Sequence, residues 1–242
     1  MSQVIEPQRV PRRKSPATAI PLLENGDHLD QKTFHERYEA MPETFKAELI
    51  QGRVYVPSPV RRTNGRPHYL INNWLGRYEA STPGVEGLND TTAILNDENE
   101  PQPDCFLVVR PDHGGQMRLD EDEYYHGAPE LAIEVAASTE AIDLFEKREA
   151  YEQAGVQEYV VVIVRTQEVR WLRLSDGNYT DVPMNDDGVF RSQVFPGLWL
   201  NPQALFAGQL QQLIASLDEG LATEGHQAFV QQLARQKSSG TQ

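Results

Sequence analysis

Three residues of the chain are of the right type and spacing to do chemistry together. Asp104 follows Pro103 and comes just before a continuous apolar run, Cys105 to Val109. Glu134 lies inside another such run, LAIEVA, where an acid is costly unless it is paired or binds a metal. Lys147 falls on the segment TEAIDLFEKREAYEQAG that follows, and Asp143, Lys147 and Tyr151 make one i, i+4 stripe. With Leu144, Tyr151 and Ala154 turned toward a sheet, Lys147 sits near the edge of that face, its ammonium in reach of Glu134. Two carboxylates and a lysine at the end of a mixed sheet form a metal-hydrolysis set. The acids hold a hard divalent cation such as Mg²⁺ through oxygen, and the ion activates water and neutralises charge on a scissile phosphate. The lysine orients or deprotonates that water. The same residues also fit a salt-bridged core, with Glu134 paired to Lys147 and no metal.

The elements that would position them are legible from periodicity. TFHERYEAMP reads as a short helix stopped before Pro42, and FKAELIQGRVYVPSP as a β-hairpin turning at Gln51-Gly52. Tyr69, Leu70, Trp74, Leu75 and Tyr78 recur at helical spacing, so a helix is expected over 68–80. Strands are expected at 92–95, 105–109 and 131–136, the last two as continuous apolar runs of the kind buried on both faces. Ser138 and Thr139 are candidate N-caps for a helix to 154, with Gly155 as its stop. The strand that follows, 158–164, completes a βαβ unit whose strands are parallel. Short strands fill 174–199. Leu205, Phe206, Leu210, Leu213, Leu217 and Leu221 mark an amphipathic helix over 203–221, packed on the body or on a partner.

The expected fold is therefore α/β (α+β), a mixed central sheet of about four or five strands flanked by helices, with an N-terminal hairpin extension. Its organisation is a disordered arm at 1–27, a domain at 28–200, a C-terminal helix at 201–222 and a polar tail at 223–242. The arm carries a small basic cluster, Arg9, Arg12, Arg13 and Lys14. Length, 242 residues, suits one domain plus tails. One cysteine, Cys105, excludes an intramolecular disulfide framework and a thiolate zinc cluster. No apolar run is long enough to span a membrane and the N-terminus lacks a signal-type apolar stretch, so a cytoplasmic protein is expected. With 22 Lys+Arg against 36 Asp+Glu the net charge is −14. Any contact with nucleic acid must then be weak or local, through a patch or a metal ion.

In combination these motifs resemble the Uma2 family, restriction-endonuclease-like proteins with the PD-(D/E)XK nuclease fold. The resemblance runs over roughly residues 30–175 and is carried by AELIQGRVYVPSP, a helix beginning at His68, PQPDCFLVV, and GAPELAIEVAASTEAIDLFEKREAYEQAGVQEYVVV. It implies a Mg²⁺-dependent (or Mn²⁺-dependent) DNA endonuclease in which Asp104 and Glu134 are the metal-binding acids and the Val135 carbonyl is a further ligand. The standard motif has its lysine two residues after the second acid. Here that position is Ala136, and the resemblance maps the lysine to Lys147 on the next helix. Glu48 would add a third carboxylate, and His68 is a weaker candidate. Arg61, Arg62 and Arg66 offer a basic rim. The turn motifs depart from the family at Gln51-Gly52, Ala137-Ser138-Thr139 and Tyr159-Val160, but Glu48, Asp104, Glu134 and Lys147 are all present. Endonucleases that cut both strands are often two-fold dimers, so a homodimer is one expected arrangement, with the Leu-rich tail helix as a candidate contact. Two other readings remain: a non-catalytic accessory protein that keeps the fold, and a small-molecule hydrolase using the same metal site.

Overall fold

The computed structural model describes residues 20–57, 62–137 and 139–239. The basic cluster of the arm, Arg61 and Ser138 lie outside the described residues. In chain order the helices are α1 (Gln31–Glu39), α2 (Arg62–Ser81), α3 (Glu140–Leu144), α4 (Glu146–Ala154), α5 (Pro202–Phe206), α6 (Leu210–Leu221) and α7 (Glu224–Ser239). The strands are β1 (Glu48–Ile50), β2 (Arg53–Tyr55), β3 (Val85–Leu88), β4 (Ala93–Ile94), β5 (Cys105–Val109), β6 (Arg118–Leu119), β7 (Tyr125–His126), β8 (Leu131–Ala136), β9 (Glu158–Ile163), β10 (Glu168–Ser175), β11 (Asn178–Asp181), β12 (Phe190–Arg191) and β13 (Trp199–Leu200). Among the described residues no helix is long and apolar enough to cross a membrane.

The central sheet has six strands in the order β11-β10-β9-β8-β5-β3. It is mixed, because β8 and β9 are parallel whereas the other neighbouring pairs are antiparallel. Every residue of β5, β8 and β9 is buried, as continuous apolar runs demand of strands covered on both faces. Leu131, Ile133 and Val135 face the larger core with Leu70, Trp74 and Tyr78 of α2. Ala132 and Ala136 face the other way, toward Tyr151 of α4. Period-2 alternation puts Glu134 on this second face. The β1–β2 hairpin turns on Gln51 (φ +50°) and Gly52 (φ +71°) and carries a small core of its own around Phe34, Leu49 and Val54.

Four expectations need correction. The helix expected over 139–154 breaks at Phe145 (φ −121°, ψ −73°). In an unbroken helix the Asp143 carbonyl would accept from the Lys147 N–H; instead it accepts from the Tyr159 hydroxyl at 2.8 Å. Thr139 is the N-cap of α3 without a side-chain cap bond, because its hydroxyl donates to the buried Asp143 carboxylate at 2.6 Å. The helix expected over 203–221 is interrupted at Gly208 (φ +72°), which yields α5 and α6. The polar stretch after 222 forms α7, tied to the residue after α2 by the Thr82–His226 contact at 3.0 Å and to the main core by buried Leu233. Of the arm assigned to 1–27, residues 20–27 are described, and there Leu23 is buried in the hairpin's core.

Candidate active site

The register of β5 against β8 pairs Cys105 with Ile133, Phe106 with Ala132 and Leu107 with Leu131. One step further, Asp104 and Glu134 would face each other, but the ladder stops there. Pro103, with no N–H to donate, cannot continue it. The strands part at the two acids, and both acids lie on the sheet face that α3 and α4 cover. Asp104 closes the gap with its side chain: Oδ2 accepts from the Val135 N–H at 2.6 Å. The Ala136 carbonyl accepts from the Val164 N–H on the β9 side. Alternation then turns the Val135 carbonyl the opposite way, toward Asp104 and past the end of β5.

Lys147 reaches this face from α4. Its Nζ lies 3.0 Å from Glu134 Oε1, 2.9 Å from Glu48 Oε1 and 3.9 Å from Asp143 Oδ1. Rather than sitting at the edge of the helix face, it is buried. The Tyr151 hydroxyl also donates to Glu134 Oε1, at 2.9 Å. Glu48 comes from the hairpin, which is docked by paired backbone bonds between Leu49 and Glu100. Its Oε1 also accepts from the Gln102 N–H at 2.7 Å.

Three carboxylates thus surround one ammonium, and Asp104 is close enough to feel its charge. Burial raises the Asp104 carboxyl above its usual range, against the pull of the Val135 N–H and of Lys147. Burial likewise pushes Glu134 well up, with Lys147 opposing and Asp104, Asp143 and Glu48 adding to the rise. Asp143 is raised to about 6 by burial, again against Lys147. For Lys147 burial works against the charge, but Glu134, Glu48 and Asp143 together outweigh it and push the pKa up. The ammonium is therefore a fixed charge and hydrogen-bond donor at neutral pH. Two donors, the Lys147 ammonium and the Tyr151 hydroxyl, converge on a single oxygen of Glu134, which accepts from both.

The donor set suits a hard divalent cation. Hydrogen bonds among the described residues engage Oε1 of Glu134 and Oδ2 of Asp104, while Oε2 and Oδ1 take none. With the outward Val135 carbonyl, these oxygens offer the ligand type that Mg²⁺ and Mn²⁺ take.

On the other side of Asp104 a second set converges. One ring nitrogen of His68 and one carboxylate oxygen each of Asp90 and Asp104 all lie within 4.8 Å of one another. His68, at the start of the α2 face, is held by a 2.8 Å contact from Nε2 to the Asp104 backbone carbonyl. Sequence reasoning missed Asp90, an acid in the turn after β3 with no motif around it. It missed Gln102 too, which acts through its backbone, and saw Tyr151 only as an apolar face residue. Arg62 and Arg66 are exposed in the first turns of α2, and Arg66 also donates to the Gly208 carbonyl at 3.2 Å.

A family model matches residues 33–203, that of Uma2, described as "Putative restriction endonuclease". No curated protein matches the chain. Among solved structures, the fold is similar to a crystal structure of a "putative nuclease belonging to DUF820" from Anabaena variabilis ATCC 29413. The TM-score is 0.56 at 13% identity, over 72% of this chain and 97% of that one. At that identity the likeness is one of fold. The family match takes in all four of Glu48, Asp104, Glu134 and Lys147, and the matching architecture frames them: the chain belongs to the Uma2 family.

Proposed function

We propose that the chain hydrolyses phosphodiester bonds of DNA with Mg²⁺ or Mn²⁺ at the parting of β5 and β8. The observation that carries this is the position of Asp104 and Glu134 one step past the last paired residues of β5 and β8, with the Lys147 ammonium 3.0 Å from Glu134. Asp104, Glu134 and the Val135 carbonyl would hold the ion, which supplies Lewis acidity toward phosphate and an activated water. Lys147 then donates rather than abstracts a proton: its raised pKa suits it to orient a water or to stabilise charge developing on phosphate oxygens. Glu48 and Tyr151 position Lys147 and Glu134. Arg62 and Arg66 provide local positive charge on a chain of net charge −14, so contact with DNA would be short and salt-sensitive. A homodimer would bring two such sites to the two strands. The leucines 205, 213 and 217 are buried in the chain's own core, so a dimer would use another surface.

One observation favours the accessory reading. Lys147 and Glu134 are both buried and mutually paired, which a structural ion network also requires. The two readings separate on plasmid DNA incubated with Mg²⁺ or Mn²⁺ at low salt. Nicking that needs the metal and vanishes in Glu134→Gln and Lys147→Met is expected. Intact plasmid with a correctly folded wild-type chain would leave the accessory role.

A further inference from the structure

We infer that His68, Asp90 and Asp104 form a cation site of their own, distinct from the one between Asp104 and Glu134 and selective for an ion that accepts imidazole, Mn²⁺ over Mg²⁺. The inference rests on the reading of Asp104 as a cation ligand and extends it to the carboxylate's far side. Three ligand atoms within 4.8 Å of one another can close on a single ion with small side-chain movements. The ring needs little ordering, because Nε2 is already anchored 2.8 Å from the Asp104 carbonyl. Asp90 is brought in by its backbone: its N–H donates to the Pro103 carbonyl at 3.1 Å, which ties the turn after β3 to the Pro-Asp step.

The local charge suits a cation. Asp90 is paired only loosely, to exposed Lys46 at 3.6 Å, and that ammonium can swing into solvent when an ion arrives. The site is reachable. The Asp90 side chain is exposed to solvent, so an ion can enter from that side. The ligand types set the preference. Imidazole suits first-row transition-metal ions; Mn²⁺ binds nitrogen most weakly of these but still accepts it, whereas Mg²⁺ favours oxygen and keeps its water. With Asp104 shared, two ions would flank one carboxylate, the arrangement by which paired metals hold the attacking and leaving oxygens of a phosphate.

The test is a titration of the full chain with Mn²⁺ alone, followed by pulsed electron paramagnetic resonance on protein labelled with ¹⁵N-histidine. Hyperfine coupling to histidine nitrogen is expected in the wild type. It should vanish in His68→Ala and survive in Glu134→Gln. Asp90→Asn, a change at an exposed side chain, should weaken the nitrogen-coupled Mn²⁺ by about tenfold or more. Absence of histidine coupling in the wild type, or its persistence in His68→Ala, overturns the site. Metal-dependent DNA cleavage without that coupling would leave the hydrolase reading standing and remove this one. A histidine-coupled ion in a chain that cuts no DNA would do the reverse.

Discussion

Lys147 meets Glu134 from a helix rather than from the strand that carries Glu134. Ala136, two residues after the acid and on the same sheet face, has no group that could pair with Glu134; the ammonium comes instead from Lys147 of α4, 3.0 Å from Glu134 Oε1. An ammonium delivered from α4 depends on the packing of a second element. The break at Phe145 and the bond from Tyr159 to the Asp143 carbonyl then bear on the site as well as on the fold.

Removal of Lys147 should be severe. Lys147→Ala leaves Glu134, Glu48 and Asp143 buried around a missing charge, a loss of about 3–5 kcal/mol. Urea unfolding should show the midpoint fall sharply. A double variant, Lys147→Met with Glu134→Gln, should recover part of the loss, since Tyr151 can still donate to the amide oxygen. Equal stability of the wild type and Lys147→Ala would show that the network does not hold the fold.

Asp104 should divide the two roles of a single side chain. Asp104→Asn keeps an oxygen for the Val135 N–H, so unfolding should shift by less than about 1 kcal/mol, while Mn²⁺ affinity measured by calorimetry drops. Asp104→Ala removes the acceptor as well and orphans that N–H, at about 1–3 kcal/mol. A metal affinity unchanged in Asp104→Asn would place the ion elsewhere.

Much of this site was legible because it sits on continuous apolar strands. The runs Cys105 to Val109 and Leu131 to Ala136 form the expected strands, and the acids interrupting or preceding them stand out against that background. What the residues do not display is set by tertiary contacts. Nothing local ends a helix at Phe145, with no Gly or Pro near it; a hydroxyl from β9 captures the carbonyl instead. α7 carries few apolar residues, and tertiary packing through His226, Phe229 and Leu233 distinguishes it from a polar tail. Asp90 reads as an ordinary turn acid until β3 and the Pro-Asp step bring it beside His68.

Stability should depend on pH with a defined sign at Asp143. The Asp143 carboxyl titrates near 3.8 in an unfolded chain and is raised to about 6 by burial in the fold. Folding therefore takes up a proton at this group between those values. Its contribution to stability is full below pH 3.8, declines as pH rises, and is gone above about 6. Other raised acids, Asp104 and Glu134, slope the same way, so the wild type alone would not isolate it. Asp143→Asn does, because the amide oxygen can still accept from Thr139 and no longer titrates. The stability of the wild type minus that of the variant, from urea unfolding at steps between pH 4 and 7, should fall steadily to about pH 6 and then level. A flat difference would mean that Asp143 titrates as in the unfolded chain. A rising one would mean that Lys147 overcomes burial and holds the acid ionised.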